Sequence, residues 1–182
     1  MKVGQHEYGV IQPLQPADVD HAVAAAQTPA ARLVLALAAV HAARVGAILD
    51  IRLDDIDLGN RRLIIAGRAR PLDELTHRVL LAWLHYRRNR WPNTANPYLL
   101  INQQTAPETG PPSPKWASRM LQGHTATLER LRVDRQLEEA LIHGPDPLHL
   151  EVVFGLDEKT AIRYASSARQ LLQTHLEAST SV

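Results

Sequence analysis

Residues 44–71 read Arg44-Val-Gly-Ala-Ile-Leu-Asp-Ile-Arg-Leu-Asp-Asp-Ile-Asp57-Leu-Gly-Asn-Arg-Arg-Leu-Ile-Ile-Ala-Gly-Arg-Ala-Arg-Pro71. The stretch from Val45 to Ile51 is mostly apolar and of a length that suits a short helix. Asp54 to Leu58 then leads into Gly59-Asn60, a turn dipeptide. Arg62-Leu63-Ile64-Ile65 is rich in β-formers, and Gly67 and Pro71 bracket a second turn and a strand edge. This stretch predicts a β-hairpin directly behind a short helix.

Outward from the hairpin the pattern turns helical on both sides. Upstream, Pro16 followed by Asp18 and Asp20 reads as a helix start, because proline suits the first turn and aspartate favours it electrostatically. Thr28-Pro29 opens a second helix, with Thr28 as N-cap and Leu33, Leu35, Leu37 and Val40 along it. Residues His41 to Arg44 interrupt that run. Downstream, Asp73 to Arg88 carries Leu75, Val79, Leu80, Trp83 and Leu84 at helical spacing. Tyr98 to Ile101 reads as a third short strand, and Asn102 to Pro114 as a loop. Helices are expected at 114–121, 125–143, 147–154 and 157–172. The expected fold is mainly α with a small antiparallel three-stranded sheet. An extension (1–15), one domain (16–174) and a tail (175–182) complete the organisation.

Composition narrows the function classes. The chain has 182 residues, 45% of them hydrophobic, with nine His and no Cys. That rules out whole-chain disorder, disulfides, iron–sulfur clusters and thiol nucleophiles. The longest apolar run, Leu33 to Val40, is too short to span a bilayer, and Met1 to Val10 lacks the apolar stretch of a signal peptide. A cytoplasmic protein without membrane partners is expected. The net charge of +1 conceals an uneven distribution. Residues 1–60 carry four basic and seven acidic groups, residues 61–114 eight and three, and residues 115–182 eight and nine. The basic middle segment holds Arg61, Arg62, Arg68 and Arg70 on the hairpin, and arginine matches phosphate oxygens bidentately. Arg87 to Arg90 read differently, as cations completing a helix C-terminus.

Three blocks then stand in a telling order. His41-Ala-Ala-Arg44 is followed by the short helix and by Arg52-Leu53-Asp54-Asp55-Ile56-Asp57 at the hairpin entrance. Leu131-Arg132 comes next, and then Val153-Phe-Gly-Leu-Asp-Glu-Lys-Thr-Ala-Ile-Arg-Tyr164. Together they resemble the catalytic domain of the tyrosine recombinases, the phage-integrase family, over roughly residues 15 to 175. That resemblance implies integrase-like, site-specific DNA strand exchange through a 3′-phosphotyrosyl ester, without metal or cofactor. Tyr164 would be the nucleophile, and Arg44 and Arg132 would clamp the phosphate oxygens and stabilise the charge built in the transition state. Arg61, Arg62, Arg68 and Arg70 would contact DNA.

Four departures weaken the proton-handling side of that site. The hairpin has no lysine, and Arg68 or Arg70 in its place is a poor proton donor. Glu129 stands where the family has a histidine, Leu156 where it has His or Trp, and Ala47 where it has an acidic residue. Slow cleavage follows. Each matched residue also has a structural reading: Arg44 as a helix cap, Arg132 in an ion pair with Glu129, Glu138 or Glu139, and Tyr164 as a core tyrosine.

The C-terminal block also resembles a helix-turn-helix, which would turn Lys159, Thr160 and Arg163 toward a major groove. The alternatives to an integrase are therefore a non-catalytic DNA-binding relative on the same scaffold, or a protein-interaction module. Double-stranded DNA is the expected partner. A further partner would supply the family's N-terminal core-binding domain, and assembly into a homo-oligomer on DNA is the family's habit. Asp54, Asp55 and Asp57 read as turn formers. His143 and His149 flank a Gly-Pro-Asp-Pro turn, and the sequence suggests no third ligand beside them, so no metal is expected.

Overall fold

The computed structural model describes residues 9–122 and 126–180. It packs as two units, one of Leu14–Arg132 and one of 1–13 with 133–182. In the first, α1 (Pro16–Ala25), α2 (Pro29–Ala39), α3 (Val45–Leu49), α4 (Glu74–Arg90) and α5 (Pro114–Arg119) surround a small sheet. Next comes α6 (Leu128–Ile142), within which the division falls, and then α7 (Pro147–Phe154) and α8 (Glu158–Thr180).

Local chemistry sets the helix starts. Thr28 caps α2 by accepting the Ala31 amide at 3.1 Å, with Pro29 in the first turn where its missing N–H costs nothing. Asp73 caps α4 through the Thr76 amide at 2.9 Å, and Asp146 caps α7 through the Leu148 amide at 3.0 Å. From Ala30 to Ala38 only Arg32 is exposed, so α2 is held by burial on nearly every side. It packs against α4, whose Trp83 is buried and donates from Nε1 to the Leu99 carbonyl at 2.9 Å. Burying a large apolar side chain of this kind stabilises by roughly 1.5–3 kcal/mol. The last turn of α4 carries Arg87, Arg88 and Arg90, as expected of a helix C-terminus. Arg87 is itself buried, donating to the carbonyls of Asn96 at 2.6 Å and Tyr98 at 3.2 Å.

The sheet is three-stranded and antiparallel, as expected, but its third member differs. It comprises β1 (Ile56–Asp57), β2 (Arg62–Ile65) and β3 (Arg68–Pro71), in that spatial order. Tyr98 to Ile101 forms only an isolated bridge, from Tyr98 to Arg52, with Leu99 donating to the Ile51 carbonyl at 2.8 Å. Pairing stops there because the partner segment curls into a 3₁₀ turn at Leu53–Asp55. Asn96 ties the following loop by donating to the carbonyls of Thr105 and Gly110, both at 2.8 Å.

The Asp residues act as turn formers. Asp57 accepts the Asn60 amide at 2.9 Å and its side-chain amide at 2.7 Å, while Asp55 accepts the Arg52 amide at 2.8 Å. At the hairpin tip Ala66 and Gly67 have φ of 49° and 74°. Two positive values define the type I′ turn that matches strand twist, and alanine is strained in the first of them. Replacing Ala66 by Gly should therefore stabilise the chain by roughly 0.5–1 kcal/mol, read as a higher urea midpoint at unchanged m-value.

In the second unit, Leu137, Ala140, Leu150, Ala161, Tyr164, Ala165 and Ala168 form a core with Ile11. Ala161, Ala165 and Ala168 make a small-residue face on α8, and Ile11 crosses it, its amide donating to Ser167 Oγ at 3.3 Å. Gly155 ends α7 in the left-handed region (φ 67°), which a side chain there would resist. Two helix boundaries differ from expectation. Thr125, the expected start of α6, lies outside the described residues, and the helix begins at Leu128. The α8 helix runs to Thr180 rather than ending near Leu172, because its exposed last turns carry good helix formers with no glycine or proline to stop them.

Candidate nucleic-acid interface

Arg44 is exposed at the N-terminus of α3, where the chain is still extended (ψ 147°) after the left-handed turn at Ala42. It lines a cleft of about 510 Å³ with Gly46, Ala47, Asp50, Ile51 and Asp55, closed on the hairpin side by Ile64, Ala66 and Gly67. Strand alternation makes that arrangement: Leu63 and Ile65 turn into the core, so Ile64 faces the cleft. Two of the cleft's lining residues, Asp50 and Asp55, are acidic, a feature that motif reading missed and that helical and turn spacing around Arg44 would have suggested.

Arg132 is held otherwise. It is only 7% exposed, and its Nε and Nη2 donate to the two carboxylate oxygens of Glu129 at 3.0 and 2.5 Å. Hydrogen bonding from Arg132 is the main force holding the Glu129 carboxyl below its ordinary range, against a desolvation cost that pushes it up. The charges of Arg132 and Arg44 lower it further. Two arginines far apart in the chain thus act on one carboxylate, Arg132 by hydrogen bonds and Arg44 through its charge.

The hairpin arginines divide by register. Leu63 pairs with Arg70 and Ile65 with Arg68, so these two arginines start from the core-side face, whereas Arg62 pairs with Pro71 on the other. Arg61, Arg62 and Arg68 are exposed, and Arg61 donates to Glu74 at 3.0 Å. Burial, with Arg68 alongside, lowers the affinity of Arg70 for its proton, yet a guanidinium remains charged.

On the C-terminal unit, α7 ends at the left-handed Gly155 and α8 follows from Glu158. Lys159 and Arg163 are exposed near the start of α8, and Thr160 is half-buried. Asp157 accepts the Thr160 amide at 3.0 Å, so it serves the helix start rather than an outside partner. Tyr164 is 4% exposed within its unit's core, beside Ala161 and Ala165. Of the expected site residues, then, Arg132 is paired with Glu129, whose carboxyl also feels the charge of Arg44, while Arg62 lies on the opposite face of the hairpin from Arg68 and Arg70.

No protein-family model matches the chain, and no curated protein matches it. Solved structures do. The XerA recombinase shares its fold with a TM-score of 0.71 at 18% identity, over 96% of this chain and 66% of that one. The XerH site-specific recombinase, bound to a palindromic difH substrate after cleavage, gives a TM-score of 0.68 at 13% identity, over 92% of this chain and 53% of that one. An integrase from mycobacterium phage Brujita gives 0.58 at 19%, over 91% and 60%. The fold is therefore that of the tyrosine-recombinase catalytic domain. The chain spans between about half and two-thirds of the length of these proteins. Among the described residues no helix is long and apolar enough to cross a membrane.

Proposed function

We propose that this chain is a DNA-binding, integrase-like domain that acts in site-specific strand exchange. The observation that carries the reading is the fold shared with recombinases solved on DNA, on which Arg132 is held by Glu129 and Arg44 stands exposed at the start of α3. Two guanidiniums around one point are what a phosphodiester's non-bridging oxygens require. In this reading a phosphate would compete with the Glu129 carboxylate for Arg132. Arg62, Arg68 and Arg70, and Lys159, Thr160 and Arg163 on α8, would add backbone and groove contacts. Assembly on DNA and a cytoplasmic location belong to the same reading.

A second reading has its own support. The closed Glu129–Arg132 pair, the buried Tyr164 and the absence of lysine from the hairpin favour a relative that binds duplex DNA without cutting it. Both readings require phosphate contacts. Binding to a labelled duplex should weaken as salt rises, with a log–log slope of about −0.9 per phosphate neutralised, and Arg44→Ala should flatten it by about one contact. Affinity that stays level from low to high salt would overturn both and leave the interaction module.

A further inference from the structure

We propose that Glu139, His143 and His149 form a binding site for a divalent transition-metal ion of the zinc class. His143 follows Glu139 by four residues on α6, so the two side chains share one helix face. His149 reaches the same point from α7, across the turn that joins the helices. The sequence flagged the two histidines without a third ligand; the fold supplies it as Glu139. His143 Nδ1 and His149 Nε2 lie 3.1 and 3.0 Å from the same oxygen, Oε1 of Glu139. One ligand atom from each residue lies within 4.8 Å of the others.

Those distances are close to what a metal needs. Nitrogen and oxygen ligands about 2.0–2.1 Å from tetrahedral zinc stand roughly 3.4 Å from one another. Small side-chain rotations would let an ion replace the hydrogen bonds that now join the three groups. Two imidazoles and a carboxylate are a zinc-type donor set with the fourth position open to water. Access is provided by the histidines, whose side chains are 57% and 36% exposed, whereas Glu139 is 8% exposed. Orientation is provided by Arg135, which donates to Glu139 Oε2 at 2.8 Å and leaves Oε1 for the ion. Arg135 also lies over the Phe154 ring, 5.8 Å from its centroid, so the carboxylate is braced from both helices. A bound ion would clip α6 to α7 just ahead of the Gly155 turn that leads into α8.

The test is calorimetric titration of the chelator-treated full chain with zinc ion alone, repeated with cobalt(II) for its visible absorption. One ion per chain is expected, with the intense bands of tetrahedral cobalt. His143→Ala, at an exposed position, and His149→Gln should each weaken binding at least tenfold, while His85→Gln on α4 should leave it unchanged. A zinc-dependent rise in melting temperature should likewise vanish in His143→Ala. Equal affinity in His143→Ala and the parent chain, or no stoichiometric binding to the parent, would mean that the three groups are only a hydrogen-bonded network.

Discussion

Glu129→Gln should tighten binding to duplex DNA about tenfold, equivalent to about 1.4 kcal/mol. The carboxylate satisfies Arg132 through two hydrogen bonds and feels the charge of Arg44 as well. A phosphate can take the Arg132 guanidinium only by displacing it. Glutamine has nearly the same shape and keeps one acceptor, but removes the anion that competes with DNA. The salt slope should therefore steepen along with the affinity. The same change should cost the fold about 1–3 kcal/mol, since the Arg132 side chain is 9% exposed and loses half of a charge-assisted pair. Binding is accordingly read well below the melting temperature. In the double variant with Arg132→Ala the gain should disappear, which a double-mutant cycle would report as coupling between the two positions. A Glu129→Gln variant with parental affinity and parental salt slope would show that DNA does not engage this pair.

Much of the scaffold that places Glu129 was legible, because it rests on short-range chemistry. Thr28, Asp73 and Asp146 announce helix starts through side-chain oxygens that accept backbone amides two or three residues ahead. The hairpin is likewise local, and Gly59-Asn60 and Ala66-Gly67 set its turns. What failed was long-range. Tyr98 to Ile101 has the composition of a strand, and only the curl at Leu53–Asp55 limits it to one bridge. The third ligand beside His143 and His149 was hidden for a similar reason: Glu139 and His143 share a helix face by spacing, but only the turn between α6 and α7 brings His149 to the same oxygen. The ion pairs of α6 were local by contrast: of the three carboxylates that spacing offered Arg132, the fold selects Glu129 and assigns Glu138 and Glu139 to Arg135.

Tyr164→Phe should abolish a covalent protein–DNA adduct on a nicked duplex, the largest change expected of any substitution here. Under the strand-exchange reading the Tyr164 Oη would attack phosphorus, the bond to the 5′ oxygen would break, and that oxygen would take up a proton. On a nicked substrate the short 5′-hydroxyl strand diffuses away and the 3′-phosphotyrosyl ester accumulates. Two features of the chain make accumulation slow. Tyr164 is 4% exposed, so its hydroxyl would have to be uncovered before it reached DNA. No lysine stands on the hairpin, and a guanidinium, which gives up its proton reluctantly, is a poor donor to the leaving oxygen. These two barriers can be told apart. A 5′-thiol leaving group, with a pKa near 8.5, departs as an anion and needs no proton. If protonation limits the rate, the adduct should form much faster on the sulfur-containing duplex and Arg70→Lys should help on the oxygen one. If uncovering the hydroxyl limits it, neither change should matter. No adduct on either duplex, from a chain that binds both, would assign the protein to the non-catalytic reading.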